Sequence, residues 1–161
     1  MLKKKGSETD LIKERIAASS VFKELPDSDL RALLRIAHVR AYSAGEKIFT
    51  EGTVGLCFYI IVKGSVSMLQ SDTPDAPSIR ELGEGDIFSE IHLFTESIHS
   101  VTAVAKELTK LIIFAKPDIE DLVKINPKPG NRILLRFLDC LATRLDEVYK
   151  ENRELKLQTK M

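Results

Sequence analysis

The segment 89–102 combines side chains that could hold an anionic ligand. Glu90 supplies a carboxylate, His99 an imidazole, and neighbouring serine and threonine residues supply hydroxyls. A single helical turn is predicted over Glu90–Phe94, with Ser89 as its cap. Because this turn interrupts a β-rich region, its free backbone N–H groups are expected inside the sheet layers, where they can bind an anion.

The same side chains lack the spacing of a metal site or a catalytic site. His92, His99 and Glu90 match neither a tight nor a helical pair of histidine ligands. The sequence contains no phosphate-binding P-loop, no nucleophile elbow and no cysteine–histidine motif. Cys57 and Cys140 lie far apart and are interpreted as small buried hydrophobic residues. We therefore predict no metal site, no catalytic residue and no enzymatic activity.

The charge balance and the lack of long apolar runs bear on whether the chain binds nucleic acid or a membrane. The chain has 161 residues, of which 24 are Lys or Arg and 24 are Asp or Glu, so its formal net charge is zero. Direct binding of nucleic acid is not expected, because such domains concentrate excess positive charge. There is no long apolar run and no apolar signal-peptide core near the N-terminus, so we expect a cytoplasmic protein without a membrane contact.

From Val39 to Ala115 the sequence is typical of an all-β domain. Short apolar runs rich in β-branched and aromatic residues are separated by Gly, Pro, Asp or Ser, as in sandwiches and barrels. Seven strands are predicted: Val39–Tyr42, Lys47–Phe49, Cys57–Val62, Ser65–Gln70, Ser78–Leu82, Ser100–Ala105 and Thr109–Phe114.

Helices are predicted on both sides of this region. A short amphipathic helix follows the polar N-terminal tail, and a second helix is expected to begin with Asp27 as its N-cap. Pro117 fits the first position of a third helix. The stretch Asn126–Gly130, which contains two prolines, is expected to end that helix. The final helix is predicted from about Asn131 into the mid-150s.

The final helix carries a heptad pattern. Its apolar residues step by four and three, with one asparagine in the series, which predicts a two-stranded coiled coil whose register the asparagine fixes. An ordinary amphipathic helix packed on its own domain is the alternative, and we favour such packing for the first turns only. The predicted dimerisation residues are Leu134, Leu138, Leu141, Leu145, Val148, Asn152 and Leu155.

Four stretches of the chain have a recognisable order: Phe22-x-x-Leu25 with Leu30-x-x-Leu33, Gly45-Glu-Lys-Ile-Phe-Thr-Glu-Gly52, Phe58-Tyr-Ile-Ile-Val-Lys-Gly64, and Leu82-Gly-Glu-Gly-Asp86-Ile-Phe88-Ser-Glu90. Together they resemble the cyclic-nucleotide-binding domain family. The resemblance implies a mainly β fold with flanking helices (α+β), in which an eight-stranded jelly roll, or double-stranded β-helix, lies between N-terminal helices and a long C-terminal helix.

The resemblance also implies a ligand site. In ligand-binding members of that family, backbone amides of the helical turn and an arginine hold the cyclic phosphate, and a glutamate binds the ribose 2′-hydroxyl. The matching or adjacent residues here are Ser89, Glu90, Ile91, His99, Ser100 and Thr102.

The arginine position, nine residues after Glu90, is occupied by His99. Histidine is mostly uncharged near neutral pH and lacks the bidentate fork of arginine. Leaving a buried phosphate without its cation costs about 2–5 kcal/mol of binding free energy. Ser89 replaces the usual glycine, and its side chain is expected to crowd the approach of a ligand to the backbone.

The predicted organisation has three parts: 1–20 is a tail with a short helix, 21–125 is the cyclic-nucleotide-binding-like roll with flanking helices, and 126–161 is the dimerisation helix. That helix resembles the dimer helix of the Crp/Fnr regulators, but the sequence ends at Met161 without their DNA-binding domain. We predict a non-enzymatic regulatory module that acts through a homodimer or a partner protein and has no resident cofactor. The alternative is a sensor that binds cAMP or cGMP weakly, or binds another anion.

Overall fold

The computed structural model of the chain describes residues 7–159, so residues 1–6 of the predicted tail and the last two of the final helix lie outside the described residues. Its elements are, in chain order, α1 (Glu8–Ala18), α2 (Asp27–Ile36), β1 (His38–Tyr42), β2 (Lys47–Phe49), β3 (Cys57–Lys63), β4 (Val66–Leu69), β5 (Ser78–Leu82), β6 (Ile87–Phe88), a 3₁₀ turn (Glu90–Leu93), β7 (Thr102–Ala105), β8 (Thr109–Ala115), α3 (Lys116–Ile125) and α4 (Pro127–Gln158). Within the described range no helix is long and apolar enough to cross a membrane.

The eight strands form two four-stranded antiparallel sheets, ordered β1-β8-β3-β6 and β2-β7-β4-β5. The predicted eight-stranded roll with N-terminal helices and a long C-terminal helix is confirmed. Strand β6 is not among the seven strands predicted from the sequence, because it has only two residues. The predicted strand Ser100–Ala105 begins later, at Thr102. The residues before it pair instead with the chain between β2 and β3, through an isolated bridge from Ile98 to Val54.

Strand β3 separates two hydrophobic clusters. Phe58, Ile60 and Val62 belong to the cluster that the helices cover, whereas Tyr59 and Ile61 belong to the cluster inside the roll. Successive side chains of a strand point to opposite faces, so an uninterrupted apolar run is what a strand buried on both faces requires. β3 therefore fixes the helical layer and the roll interior relative to each other.

Helix α4 begins at Pro127, earlier than predicted, and runs as one helix to Gln158. The prediction that Asn126–Gly130 separates the two helices is wrong beyond Asn126, because Pro127 is tolerated in a first helical turn. Gly130 lies where α4 meets α3. A Cβ atom there would be 2.6 Å from Val123 Cα. Glycine thus permits a close helix crossing.

The first turns of α2 are fastened to α4. Asp27 is the first residue of α2 and not its N-cap as predicted, since Pro26 takes that position without a side-chain hydrogen bond. Asp29, which is 1% exposed, accepts two hydrogen bonds from Arg132, at 2.5 Å from Nε and 2.6 Å from Nη2. These bonds lower the pKa of Asp29 and keep its carboxylate ionised. The paired charge holds the two helices together.

Candidate functional site

The turn after β6 begins with a strained residue. Ser89 has φ +67° and ψ +12°, in the left-handed region, and precedes the 3₁₀ turn Glu90–Leu93. Ser89 takes the N-cap position of the turn, as predicted, but its hydroxyl makes no side-chain hydrogen bond to the turn. The Oγ atom is instead buried without a partner. This conformation favours glycine and explains why a side chain at this position carries a cost.

Glu90 is buried, with 4% of the residue exposed, and its carboxylate is already paired. Arg144 of α4 donates to Glu90 Oε1 through Nη1. The other terminal nitrogen of that guanidinium donates to the Ile87 carbonyl oxygen at 3.2 Å. A residue of the C-terminal helix therefore already binds the carboxylate of Glu90, which the sequence predicts to be a ligand-binding residue.

His99 is buried, with 5% of the residue exposed. Its ring is stacked on Phe49, with centroids 3.7 Å apart and an interplanar angle of 7°. Its backbone is also engaged, because its N–H donates to Thr53 O and its carbonyl accepts from Gly52 N, both at 2.8 Å. Burial, together with the neighbouring His92, lowers the pKa of His99 to about 4, so the ring is neutral near pH 7.

His92 lies edge-on to His99, with ring centroids 4.3 Å apart. Its Nδ1 is 3.0 Å from Ser97 Oγ, and the ring abuts Gly55, where an added Cβ would be 2.3 Å from His92 Cγ. Burial lowers the pKa of His92, against the opposite effect of the Glu90 charge. The two imidazoles thus form a neutral, buried pair beside the turn.

The other predicted ligand residues do not converge on one point. Thr102 is fully buried, and its hydroxyl accepts a hydrogen bond from the Glu51 N–H at 3.0 Å. Ser100 is exposed, and Ile91 is 52% exposed. Across residues 7–159 no three His, Cys, Asp or Glu side chains are grouped as metal ligands. The arrangement gives a turn with one carboxylate, neutral imidazoles and an internal cation.

The prediction from sequence missed Arg144 and Phe49. Arg144 is 54 residues from Glu90 along the chain, so no local motif connects them. One signal was present: Arg144 follows Phe137 by seven residues, which places both on the same side of a helix. A charged residue in line with a buried phenylalanine indicates a buried partner for that charge.

The sequence profile of the cyclic nucleotide-binding domain matches residues 39–126, more than half of the chain. The chain belongs to the cyclic nucleotide-binding domain family. This fold is typically a regulatory module, and the resemblance described from the sequence motifs is confirmed.

Two curated relatives are similar in sequence to this chain. Human cGMP-dependent protein kinase 2 is 33% identical over 90 residues, which cover 55% of this chain and 12% of the kinase. The cyclic AMP receptor protein of Thermus thermophilus is 28% identical over 130 residues, or 80% of this chain and 58% of the receptor. This chain thus spans about an eighth of the first relative and over half of the second.

A cyclic nucleotide-binding domain from Methylobacillus flagellatus superposes with a TM-score of 0.74 at 25% identity, covering 89% of this chain and 81% of that one. The similarity extends well beyond the profile match and includes flanking helices. The catabolite activator protein of Thermus thermophilus superposes with a TM-score of 0.73 at 27% identity, over 86% of this chain and 63% of that one, which supports the Crp-like character of the domain.

The distal part of α4 leaves the roll. Residues 145–159 are all exposed, whereas Ile133 and Phe137 nearer its start are buried. Of the predicted dimerisation residues, Leu134 and Leu141 are half-buried, and five are exposed: Leu138, Leu145, Val148, Asn152 and Leu155. These heptad residues, called the seam below, thus lie mostly away from the face that packs on the roll. Dimerisation stays a prediction.

Proposed function

We propose that this chain is a non-enzymatic regulatory module of the cyclic nucleotide-binding domain family that does not hold a cyclic nucleotide tightly and acts through α4. The observation that carries the proposal is the state of Glu90 and His99. The carboxylate is engaged by Arg144, and a neutral imidazole stacked on Phe49 takes the place of the arginine. A cyclic phosphate would lack a charged partner there.

The output of such a module is best assigned to α4. Its distal half presents apolar side chains at heptad spacing to solvent, including Leu145, Val148 and Leu155, each more than half exposed. A homodimer would cover this face and retain the single seam asparagine, Asn152, as a register-fixing residue. A partner protein with a matching helix is the other occupant of the same face.

A second candidate function is a sensor of a weakly bound cyclic nucleotide or another anion. It is favoured by the 3₁₀ turn Glu90–Leu93, which retains the family's position for the ribose-binding glutamate. Ser100, with an exposed hydroxyl, offers an additional donor. In this reading a ligand would have to displace Arg144 from Glu90 before using the carboxylate.

Calorimetry with cAMP and cGMP separates the two candidates. We expect no saturation at micromolar nucleotide for the unaltered chain, and a gain of binding for His99→Arg, which restores a permanent cation. His38→Arg is the matched control, because His38 lies on the surface near Asp118 and far from the turn in sequence. Clear micromolar saturation by the unaltered chain would reject the first candidate and favour the sensor.

A further inference from the structure

Helix α4 ends its contact with the roll at Arg144. The residues that face the roll recur along one side of the helix: Gly130, Ile133 and Phe137 are buried, Cys140 and Arg144 are half-buried, and every residue from 145 to 159 is exposed. The spacing of three and four along this series is that of one helix face. Arg144 is therefore the last attachment of α4 before the helix leaves the domain.

The group that receives Arg144 has the composition of a guanidinium site. One terminal nitrogen of the guanidinium donates to the Glu90 carboxylate and the other to the Ile87 carbonyl, so two acceptors share one planar cation. The Glu90 side chain is 5% exposed, whereas that of Arg144 is 30% exposed. A buried carboxylate of this kind requires a hydrogen-bonded cation, and arginine presents its donors in a fixed fork that fits two acceptors.

No other cation is recorded at Glu90 among the described residues. The structure gives its carboxylate one ion pair, to Arg144. Burial lowers the pKa of His92, which faces the Glu90 charge, so that imidazole is neutral near pH 7. Without Arg144, the Glu90 carboxylate would thus be a buried group without a cationic partner. This charge selects a cation as the occupant.

A cleft beside Arg144 gives access from solvent. It has a volume of about 280 Å³ and is bordered by Ile87 and Arg144 themselves. Apart from Arg144, its charged lining residues carry one net negative charge, because three carboxylates outnumber Lys23 and Arg80. The acidic members are Asp86, Asp139 and Glu147. A small cation can therefore reach the edge of the contact without crossing the hydrophobic core.

We propose that Glu90 and the Ile87 carbonyl form a guanidinium-binding site, and that Arg144 occupies it in cis as a latch that holds α4 on the roll. This inference deepens the proposed function and rests on it for the role of α4 as the output element. Whatever fills the site in place of Arg144, whether a free guanidinium compound or an arginine side chain, would release the last attachment of the helix. The site and the helix are then linked through one ion pair.

Chemical rescue of Arg144→Ala tests the site itself. In the full chain we expect the variant to unfold at lower urea and to exchange the amide hydrogens of residues 138–147 faster. Millimolar guanidinium should restore the stability, because it fills the site, but not the slow exchange, since a free cation does not attach α4 to the roll. Sodium chloride at equal ionic strength should restore neither. Arg153→Ala removes a charge from an exposed position of the same helix and is the matched control. Guanidinium at the same concentration should leave the stability of this control unchanged.

The Glu90→Gln/Arg144→Ala double variant identifies the acceptor. Guanidinium rescue should disappear in it, because the amide no longer offers a charge. Absence of rescue in Arg144→Ala, or equal rescue in the double variant, would overturn the proposal.

A double-mutant cycle with Arg144→Lys and Glu90→Gln covers the case in which the alanine variant does not fold. We expect the two changes to be non-additive by about tenfold or more in the unfolding equilibrium constant, which is about 1.4 kcal/mol. Additivity within twofold would contradict the latch. Neither measurement involves nucleotide or molecular mass. Tight cAMP binding would reject the proposed function and a monomeric chain would reject its homodimer, and either outcome would leave this result to stand on its own.

Discussion

Ser89 adopts a left-handed backbone conformation that costs an L-residue about 1 kcal/mol, and its buried hydroxyl has no hydrogen-bond partner. Replacing Ser89 with glycine removes both penalties, although glycine loses more backbone entropy on folding. We expect Ser89→Gly to raise the free energy of unfolding by about 1 kcal/mol in urea denaturation. Ser89→Ala removes only the hydroxyl and should gain less. A loss of stability in the glycine variant would mean that the Ser89 side chain contributes favourable packing.

The buried imidazoles give the fold a predictable response to acid. His99 has a pKa of about 4 in the folded chain, against about 6.5 when unfolded, so between these values the unfolded state binds the extra proton. Stability should therefore fall as the pH decreases through this window, by about 2 kcal/mol between pH 7 and pH 5 for this residue alone. His92, whose pKa is also lowered despite the facing Glu90, adds to the loss.

The measurement is urea denaturation across that pH range for the unaltered chain and for His99→Phe. Phenylalanine keeps an aromatic ring against Phe49 but cannot be protonated. The free energy of unfolding should depend less on pH in the variant than in the unaltered chain. The Asp and Glu residues should contribute equally to the pH dependence of both proteins. Parallel profiles for the two proteins would show that His99 is not the titrating group.

At the scale of elements, the contact between α3 and α4 depends on Gly130. Alanine is the better helix former by about 1 kcal/mol, but its Cβ would lie 2.6 Å from the Val123 Cα atom, which cannot move independently of α3. Overpacking of this kind costs about 1–3 kcal/mol, so we expect Gly130→Ala to be destabilising on balance. Gly83→Ala is the control, because nothing lies within 4 Å of its added Cβ. Thermal unfolding compares the two, and an unchanged Gly130→Ala variant would contradict the close crossing.

The same crossing illustrates which features the sequence could predict. Alternation and turn residues were sufficient for seven strands, because each strand is encoded within its own few residues. The two-residue strand Ile87–Phe88 carries too short a pattern to be recognised. Gly130 has the sequence signature of a helix end, yet its role depends on where α3 lies, which is tertiary information.

The candidate site was predictable to the same limited extent. Its turn and Glu90 follow from a local motif, and the substitution of His99 is visible in the sequence. The stacking of His99 on Phe49 and the pairing of Glu90 with Arg144 join segments far apart in the chain. Such pairings follow from the packing of the whole fold and not from the residues near them.

For the whole molecule, the exposed seam of α4 predicts a homodimer. Light scattering should give about twice the chain mass of 18.1 kDa. Leu145→Glu places a charge in the seam at a residue 54% exposed in the single chain, so it should yield a monomer whose roll remains folded. Glu147→Gln, a change on the exposed flank of the same helix, should leave the mass unaltered. A monomeric unaltered chain at high concentration would reject the homodimer and leave the helix to a different protein.

Because α4 is one uninterrupted helix, it could hold a protein or label attached to its C-terminal end at a defined position relative to the roll. A fluorophore or enzyme attached after Gln158 would be carried some 20 Å beyond Arg144, because an α-helix rises about 1.5 Å per residue. Each residue inserted in the exposed stretch would rotate the cargo by about 100° around the helix axis. The number of inserted residues would thus set the distance and the azimuth together, without altering the roll.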